Sequence, residues 1–150
     1  MIKRIFETHI PVQNLERSVD FYAELPGLEL GTIDPARRIA FFWIGGRNVS
    51  MLGLWEKPSA EILRHHFAFE IAPADMDQAV SLLKKKRIKL YNFWDDGTER
   101  PMVFGWMPAA SIYFSDPDGH ELELIAPLPE APRPEIGIVS LEQWRAACAR

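Results

Sequence analysis

Two stretches of the chain spell the same order of elements about 60 residues apart, and that repetition constrains the fold more than any single motif. In the first stretch IFETHIPV (residues 5–12) alternates like a strand, and NLERSVDFYAEL follows with the periodicity of a helix. Asn14 stands where an N-cap belongs, and Leu15, Val19, Phe21 and Tyr22 make an apolar stripe. PGLELG ends the helix and begins a strand; RRIAFFWIGG and NVSMLGLWE are two more, joined by a turn at Gly45–Gly46. In the second stretch HHFAFEIA reads as a strand and PADMDQAVSLLKKK as a helix, with Met76, Ala79, Val80 and Leu83 along one face. IKLYNFW, VFGWMPAASIYF and HELELIAP supply the remaining strands, with a break expected at Pro108 and DDGTER as a polar loop. The prediction is an α+β chain of paired βαβββ modules, one over about 4–56 and one over about 65–126, with a linker over about 57–64.

After Pro127 the texture changes. PLPEAPRPEIG is too proline-rich for a helix or a central strand and reads as an extended strap. SLEQWRAACAR then predicts a short helix, with Ser140 and Gln143 spaced as a capping box. Its apolar side, Leu141, Trp144, Ala147 and Cys148, needs a surface on this chain or on a partner. At 150 residues and 47% hydrophobic, the chain suits one domain or two small modules sharing a core. The net charge is −4, and the only basic run, KKKR at 84–87, closes a helix where cations oppose the dipole, so no nucleic-acid partner is expected. A single cysteine excludes an internal disulfide and suits a reducing compartment. The opening MIKRIFETHIPV is too broken by Glu7 and His9 for a signal-peptide core, and no apolar run could span a membrane. A cytoplasmic protein without a membrane partner is the expectation.

Side chains of a strand alternate between its faces. In the first strand Phe6, Ile10 and Val12 share a face and His9 points away from them. In HHFAFEI, Phe67, Phe69 and Ile71 share a face; His66 opposes them, while His65 falls on the Phe67 side. In the last strand Glu121 and Glu123 oppose Leu122 and Leu124. If helices cover the apolar faces, His9, His66 and Glu123 project from the opposite, concave side. Two imidazoles and a carboxylate make three ligands with coordination positions left open, as a catalytic metal site requires. Glu121 reads as a solvated edge residue, and DPDG (116–119) as turn chemistry whatever follows it.

The ordered set THIPVQNLERSVDFYAELPGLELG, HHFAFEI and YFSDPDGHELEL resembles the vicinal-oxygen-chelate superfamily, over residues 4 to about 126. That group includes glyoxalase I, fosfomycin-resistance thiol transferases, extradiol dioxygenases and bleomycin-resistance binding proteins. The resemblance implies modules that form a cup-shaped mixed sheet with helices on the outer face. It also implies a divalent ion (Mn, Fe, Ni, Co or Zn) on His9, His66 and Glu123, the three residues that strand parity selects. Glyoxalase I carries a further Glu on the last strand of its first module; matching NVSML to HELEL puts Met51 there, which argues against that activity. Extradiol dioxygenases share Tyr113 but place a catalytic His where Phe104, Gly105 and Trp106 stand. Fosfomycin-type enzymes match at Ser111 and Tyr113; their threonine two residues after the first His is Pro11, and their later basic residue falls at Pro132, one place from Arg133.

The resulting expectation is a homodimeric metalloenzyme with sites shared between chains, acting as a lyase, isomerase or thiol transferase on a small molecule that chelates the ion through adjacent oxygens. Tyr113 and Glu123 are its candidate catalytic residues. Met51, Trp43, Trp55, Trp106 and Ser111 are candidates for the substrate pocket, with Phe41 and Trp94 for its aromatic wall. The rival expectation is a metal-free protein that sequesters a planar or hydrophobic compound, for which five tryptophans would also serve.

Overall fold

The computed structural model describes residues 1–149 as two compact units. The first comprises Met1–His65 with the turn Asp116–His120. It contains β1 (Glu7–Val12), α1 (Leu15–Ala23), β2 (Leu28–Asp34), β3 (Ile39–Ile44) and β4 (Ser50–Glu56), in the sheet order β1-β4-β3-β2. β1 and β4 are parallel and the other pairs antiparallel. The Asn14 side chain caps α1 by accepting from the backbone N–H of Arg17 at 2.8 Å. The buried stripe of α1 is Leu15, Ser18 and Tyr22, with Val19 half-buried beside it. The small Ser18, rather than Phe21, fills the middle of this nine-residue helix; Phe21 instead meets the Tyr22 ring edge-on, 5.2 Å away. The unit's core adds Ile10, Val12, Ala40, Phe42, Leu52 and Leu54 from one face of β1, β3 and β4.

The DPDGH turn does more than reverse the chain. Asp116 accepts from Tyr22 OH at 2.9 Å and from the backbone N–H groups of Asp118 and His120. Burial, then the charge of Asp116, pushes the Tyr22 phenol far above its usual range, so it stays a donor. Asp118 accepts from Gln13 N–H and pairs with Arg17. His120 is fully buried; its Nδ1 accepts from His65 N–H, so Nε2 carries the proton and donates to the carbonyl of Pro11 at 2.7 Å.

Arg38 ties the exposed side of this unit together, donating to Glu56 at 2.5 and 2.9 Å and to Glu16 at 2.6 and 2.8 Å. The Arg38 hydrogen bond is the main cause holding the Glu16 carboxyl at about 2, and Glu56 is lowered for the same reason. A carboxyl lowered in the folded state contributes stability above its unfolded pKa and loses it as pH falls towards the folded value. Arg38→Gln therefore unfolds at lower urea than the parent at neutral pH, and the gap closes between about pH 5 and pH 2. Urea midpoints measured across that range check this; a gap independent of pH would exclude the ion pairs as its source.

The second unit comprises His66–Ser115 and Glu121–Arg150, of which residues to 149 are described. It contains β5 (His66–Glu70), α2 (Met76–Lys85), β6 (Leu90–Tyr91), β7 (Met102–Phe104), β8 (Met107–Ser115), β9 (Glu121–Pro127), β10 (Ile138–Ser140) and α3 (Leu141–Cys148). Its sheet runs β10-β7-β8-β9-β5, with β6 also paired to β8. The repeat is visible in the pairings: β5–β9 is parallel as β1–β4 is, and β8–β9 and β6–β8 are antiparallel as β3–β4 and β2–β3 are. The apolar face of this sheet packs Phe69, Leu90, Ile112, Phe114, Leu122 and Leu124 with Met76, Ala79 and Leu83 of α2.

Three details differ from the sequence expectation. The strand expected over 88–94 shrinks to Leu90–Tyr91, because the buried Asn92 turns the chain. Its amide donates to Asp96 and Thr98 and accepts from Trp94 N–H. The break expected at Pro108 falls instead at Gly105–Trp106, the turn between β7 and β8, and Pro108 lies inside β8. Between the strap and the last helix lies an unexpected strand, β10, on the free edge of β7. Gly105 allows this approach: its N–H donates to Gly137 O at 2.8 Å and its carbonyl accepts from Arg133 N–H at 2.7 Å, and a Cβ there would fall onto Arg133 O. The expected capping box of Ser140 and Gln143 is present, and Trp144 is fully buried on this chain. No helix among the described residues is long and apolar enough to cross a membrane.

Candidate metal centre

The first group of site residues lies on the face of sheet 1 away from α1. Register places Glu7 beside Met51, His9 beside Gly53 and Pro11 beside Trp55, with Phe41 and Trp43 on β3 facing the same way. The His9 ring lies across Gly53, where an added Cβ would come within 2.6 Å of His9 Cδ2. It stacks on Trp55 (5.1 Å between centroids), meets Phe41 edge-on, and its Nε2 contacts Oε1 of Glu7. The guanidinium of Arg37 and the ammonium of Lys57 sit 5.5 and 5.9 Å from the Trp55 ring. His9, Pro11, Trp55 and Lys57 line a cavity of about 270 Å³.

The second group lies on the corresponding face of sheet 2. Here β5, β9 and β8 align His66 with Glu121 and Tyr113 with Glu123. His66 Nε2 is 3.3 Å from Glu123 Oε2, and His66 Nδ1 is 3.1 Å from Glu121 Oε1. The Glu123 side chain is only 7% exposed, against 49% for Glu121, so the buried carboxylate is the one that the imidazole Nε2 meets. Tyr91 stacks on Tyr113 at 5.9 Å and donates to Glu121 at 3.2 Å. Burial first, then the charge of Glu123 to which it hydrogen-bonds, pushes the Tyr113 phenol above its usual range. Tyr113 thus presents its phenol beside that carboxylate. A cavity of about 390 Å³ opens here, lined by His66, Tyr91, Phe93, Asp95, Tyr113 and Glu121 among others.

This donor pair fits a divalent ion. Two ligand atoms bound at about 2.1 Å with tetrahedral to right-angled geometry lie roughly 3.0–3.4 Å apart, and His66 Nε2 and Glu123 Oε2 are separated by 3.3 Å. Glu121 holds the other ring nitrogen, as a partner that orients a ligating histidine does. Among the described residues of one chain, no group of three or more His, Cys, Asp or Glu side chains is gathered to hold an ion.

The model of the Glyoxalase/Bleomycin resistance protein/Dioxygenase superfamily matches residues 4–124. The chain belongs to that superfamily. Metallothiol transferase FosB of Staphylococcus haemolyticus is 29% identical to it over 126 residues, covering 83% of this chain and 84% of that protein. Glutathione transferase FosA of Serratia marcescens is 28% identical over 134 residues, covering 83% and 81%. Among solved structures, integron cassette protein HFX_CASS4, from the mobile metagenome of a Halifax Harbour sewage outfall, superposes with a TM-score of 0.70 at 35% identity, covering 83% of this chain and 99% of that one. The fosfomycin resistance protein FosX of Listeria monocytogenes, solved with Mn(II) and sulfate, superposes with a TM-score of 0.64 at 26% identity, covering 87% and 94%.

Within this glyoxalase-superfamily chain the remaining candidates divide. Met51, Trp43 and Trp55 share the His9 face. Ser111 is fully buried two residues before Tyr113 on β8. Trp106 sits on the β7–β8 turn, 64% exposed, and lines neither cavity. Arg133 points its guanidinium at the Ala147 carbonyl and at Glu135, so it serves the tail. No motif in the sequence marks Tyr91, and Glu121, though half exposed, also lies against His66. The parity that selected Glu123 applies equally to Glu121, and was the signal available.

Proposed function

We propose that this protein is a divalent-metal-dependent enzyme acting in the cytoplasm on a small molecule that presents two adjacent oxygens. It works as a homodimer in which His9 of one chain joins His66 and Glu123 of the other. The observation that carries the reading is the His66–Glu123 pair, a nitrogen and a buried oxygen donor at ligand spacing on one sheet face. Relatives named metallothiol transferase and glutathione transferase support metal-assisted transfer of a thiol as the reaction type. A bound ion would act as a Lewis acid on the substrate oxygens. The chain's own part is to hold that geometry and to manage a proton. Glu121 keeps the His66 ring oriented, and Tyr113 holds a proton for the substrate oxygen that gains negative charge. The cavity beside them carries Asp95 and Glu121 and no lysine or arginine among its lining residues.

Calorimetric titration of metal-free protein with Mn(II) or Zn(II) tests the reading. About one ion per chain is expected, with binding lost in His66→Ala and in Glu123→Ala. Absence of binding, or binding that survives both substitutions, would favour the metal-free sequestration protein, whose aromatic wall would be Phe41, Trp43 and Trp55.

A further inference from the structure

We infer that Tyr91 is a positioning residue of the metal centre: through Glu121 it fixes which nitrogen of His66 is left for the ion. The inference rests on the metal-centre reading above and adds a residue outside the proposed ligand set. Each ring nitrogen of His66 faces a different carboxylate, Nδ1 that of Glu121 at 3.1 Å and Nε2 that of Glu123 at 3.3 Å. Each carboxylate is in turn hydrogen-bonded by a tyrosine, Glu121 by Tyr91 and Glu123 by Tyr113. The two tyrosines are cross-strand partners on β6 and β8, with their rings stacked 5.9 Å apart and 21° from parallel. Five side chains thus close a circuit around one imidazole.

The two carboxylates need different support. Burial holds Glu123, whereas the half-exposed Glu121 is not fixed by packing. A glutamate in that position has several rotamers to lose, and a hydrogen bond from a fixed donor selects one of them. Tyr91 is that donor. Its ring lies on Tyr113, and its hydroxyl hydrogen-bonds Ser115 and Glu121, two residues paired across β8 and β9. With Glu121 held as an acceptor, Nδ1 of His66 carries the imidazole proton and the lone pair falls on Nε2, beside Glu123. A neutral imidazole binds a cation only through the nitrogen that lacks the proton. Tyr91 therefore selects, from two hydrogen bonds away, the tautomer that the ligand role of His66 needs.

The test uses the full chain and two readouts, the His66 tautomer and the affinity for Co(II). Tyr91→Phe keeps the stacked ring and loses only the hydroxyl. In metal-free protein, at a pH where imidazoles are neutral, nitrogen NMR should show Tyr91→Phe and Glu121→Ala both moving His66 from the Nδ1–H tautomer towards Nε2–H. Glu121→Ala should weaken Co(II) binding by about 10- to 100-fold, as loss of a group that orients a ligand does. Tyr91→Phe should weaken it by about 5-fold, the worth of one ordinary hydrogen bond. The double variant should bind no more weakly than Glu121→Ala alone, because Tyr91 acts through that carboxylate. A role in packing alone would leave the tautomer unmoved and make the two losses add. If the parent binds Co(II) through His66 and Glu123 while Tyr91→Phe matches it in affinity and tautomer, the assignment of Tyr91 is overturned and the metal centre stands. If the parent binds no ion at all, both fall together.

Discussion

Mixing His9→Ala chains with Glu123→Ala chains restores metal binding that neither variant has alone. The expectation follows from the proposed two-fold arrangement, in which each site takes His9 from one protomer and His66 with Glu123 from its partner. A mixed dimer then concentrates both lesions in one site and leaves the other intact. Random exchange of equal amounts puts half of the chains' dimers in the mixed state, so about one quarter of all sites return. If each site were built within one chain, every site in the mixture would carry a lesion and the recovery would be nil. Calorimetry before and after subunit exchange reads the difference directly, and sedimentation of the parent as a strict monomer would refute the arrangement independently.

Trp144→Ala lowers stability by about 3–5 kcal/mol, the range for emptying a large aromatic side chain from a packed core. The indole is fully buried, and its Nε1–H points to Glu130 at 3.4 Å. For a chain of this size the loss corresponds to a fall of roughly 10 °C in Tm. Trp106→Ala is the matched control: that ring is 64% exposed, and its removal should change stability by no more than about 0.5 kcal/mol. Equal effects of the two substitutions would mean that the tail does not belong to the cooperative unit.

Local chemistry made most of the fold readable. Asn14 and Ser140 cap the helices they were expected to cap, and the alternation of HELEL and HHFAFEI assigns faces that the ladders reproduce. What escaped were features that depend on partners distant in sequence. Nothing near Tyr22 indicates that its hydroxyl binds Asp116, 94 residues later, and nothing near Gly105 indicates that a strand from the tail lies against it. Proline at 108 predicts a break, yet the turn falls at Gly105–Trp106, while Pro108 keeps its place in β8 and its carbonyl accepts from Leu128 N–H. In the sequence Glu7 is only a charge that interrupts an apolar run. Its contact with His9 and its place opposite Met51 depend on a ladder whose other strand lies more than 40 residues away.

The order β10-β7-β8-β9-β5 puts the tail and the first strand of the second module at opposite margins of one sheet. The hairpin at 102–107 and the tail through α3 hang from one margin of the second sheet, whereas His66 occupies the opposite margin, four strand spacings or roughly 19 Å away. Over that span, changes in free energy add without coupling. The margin at β10 is therefore where this chain can be lengthened or fused to another protein while the chemistry at β5 keeps its tuning.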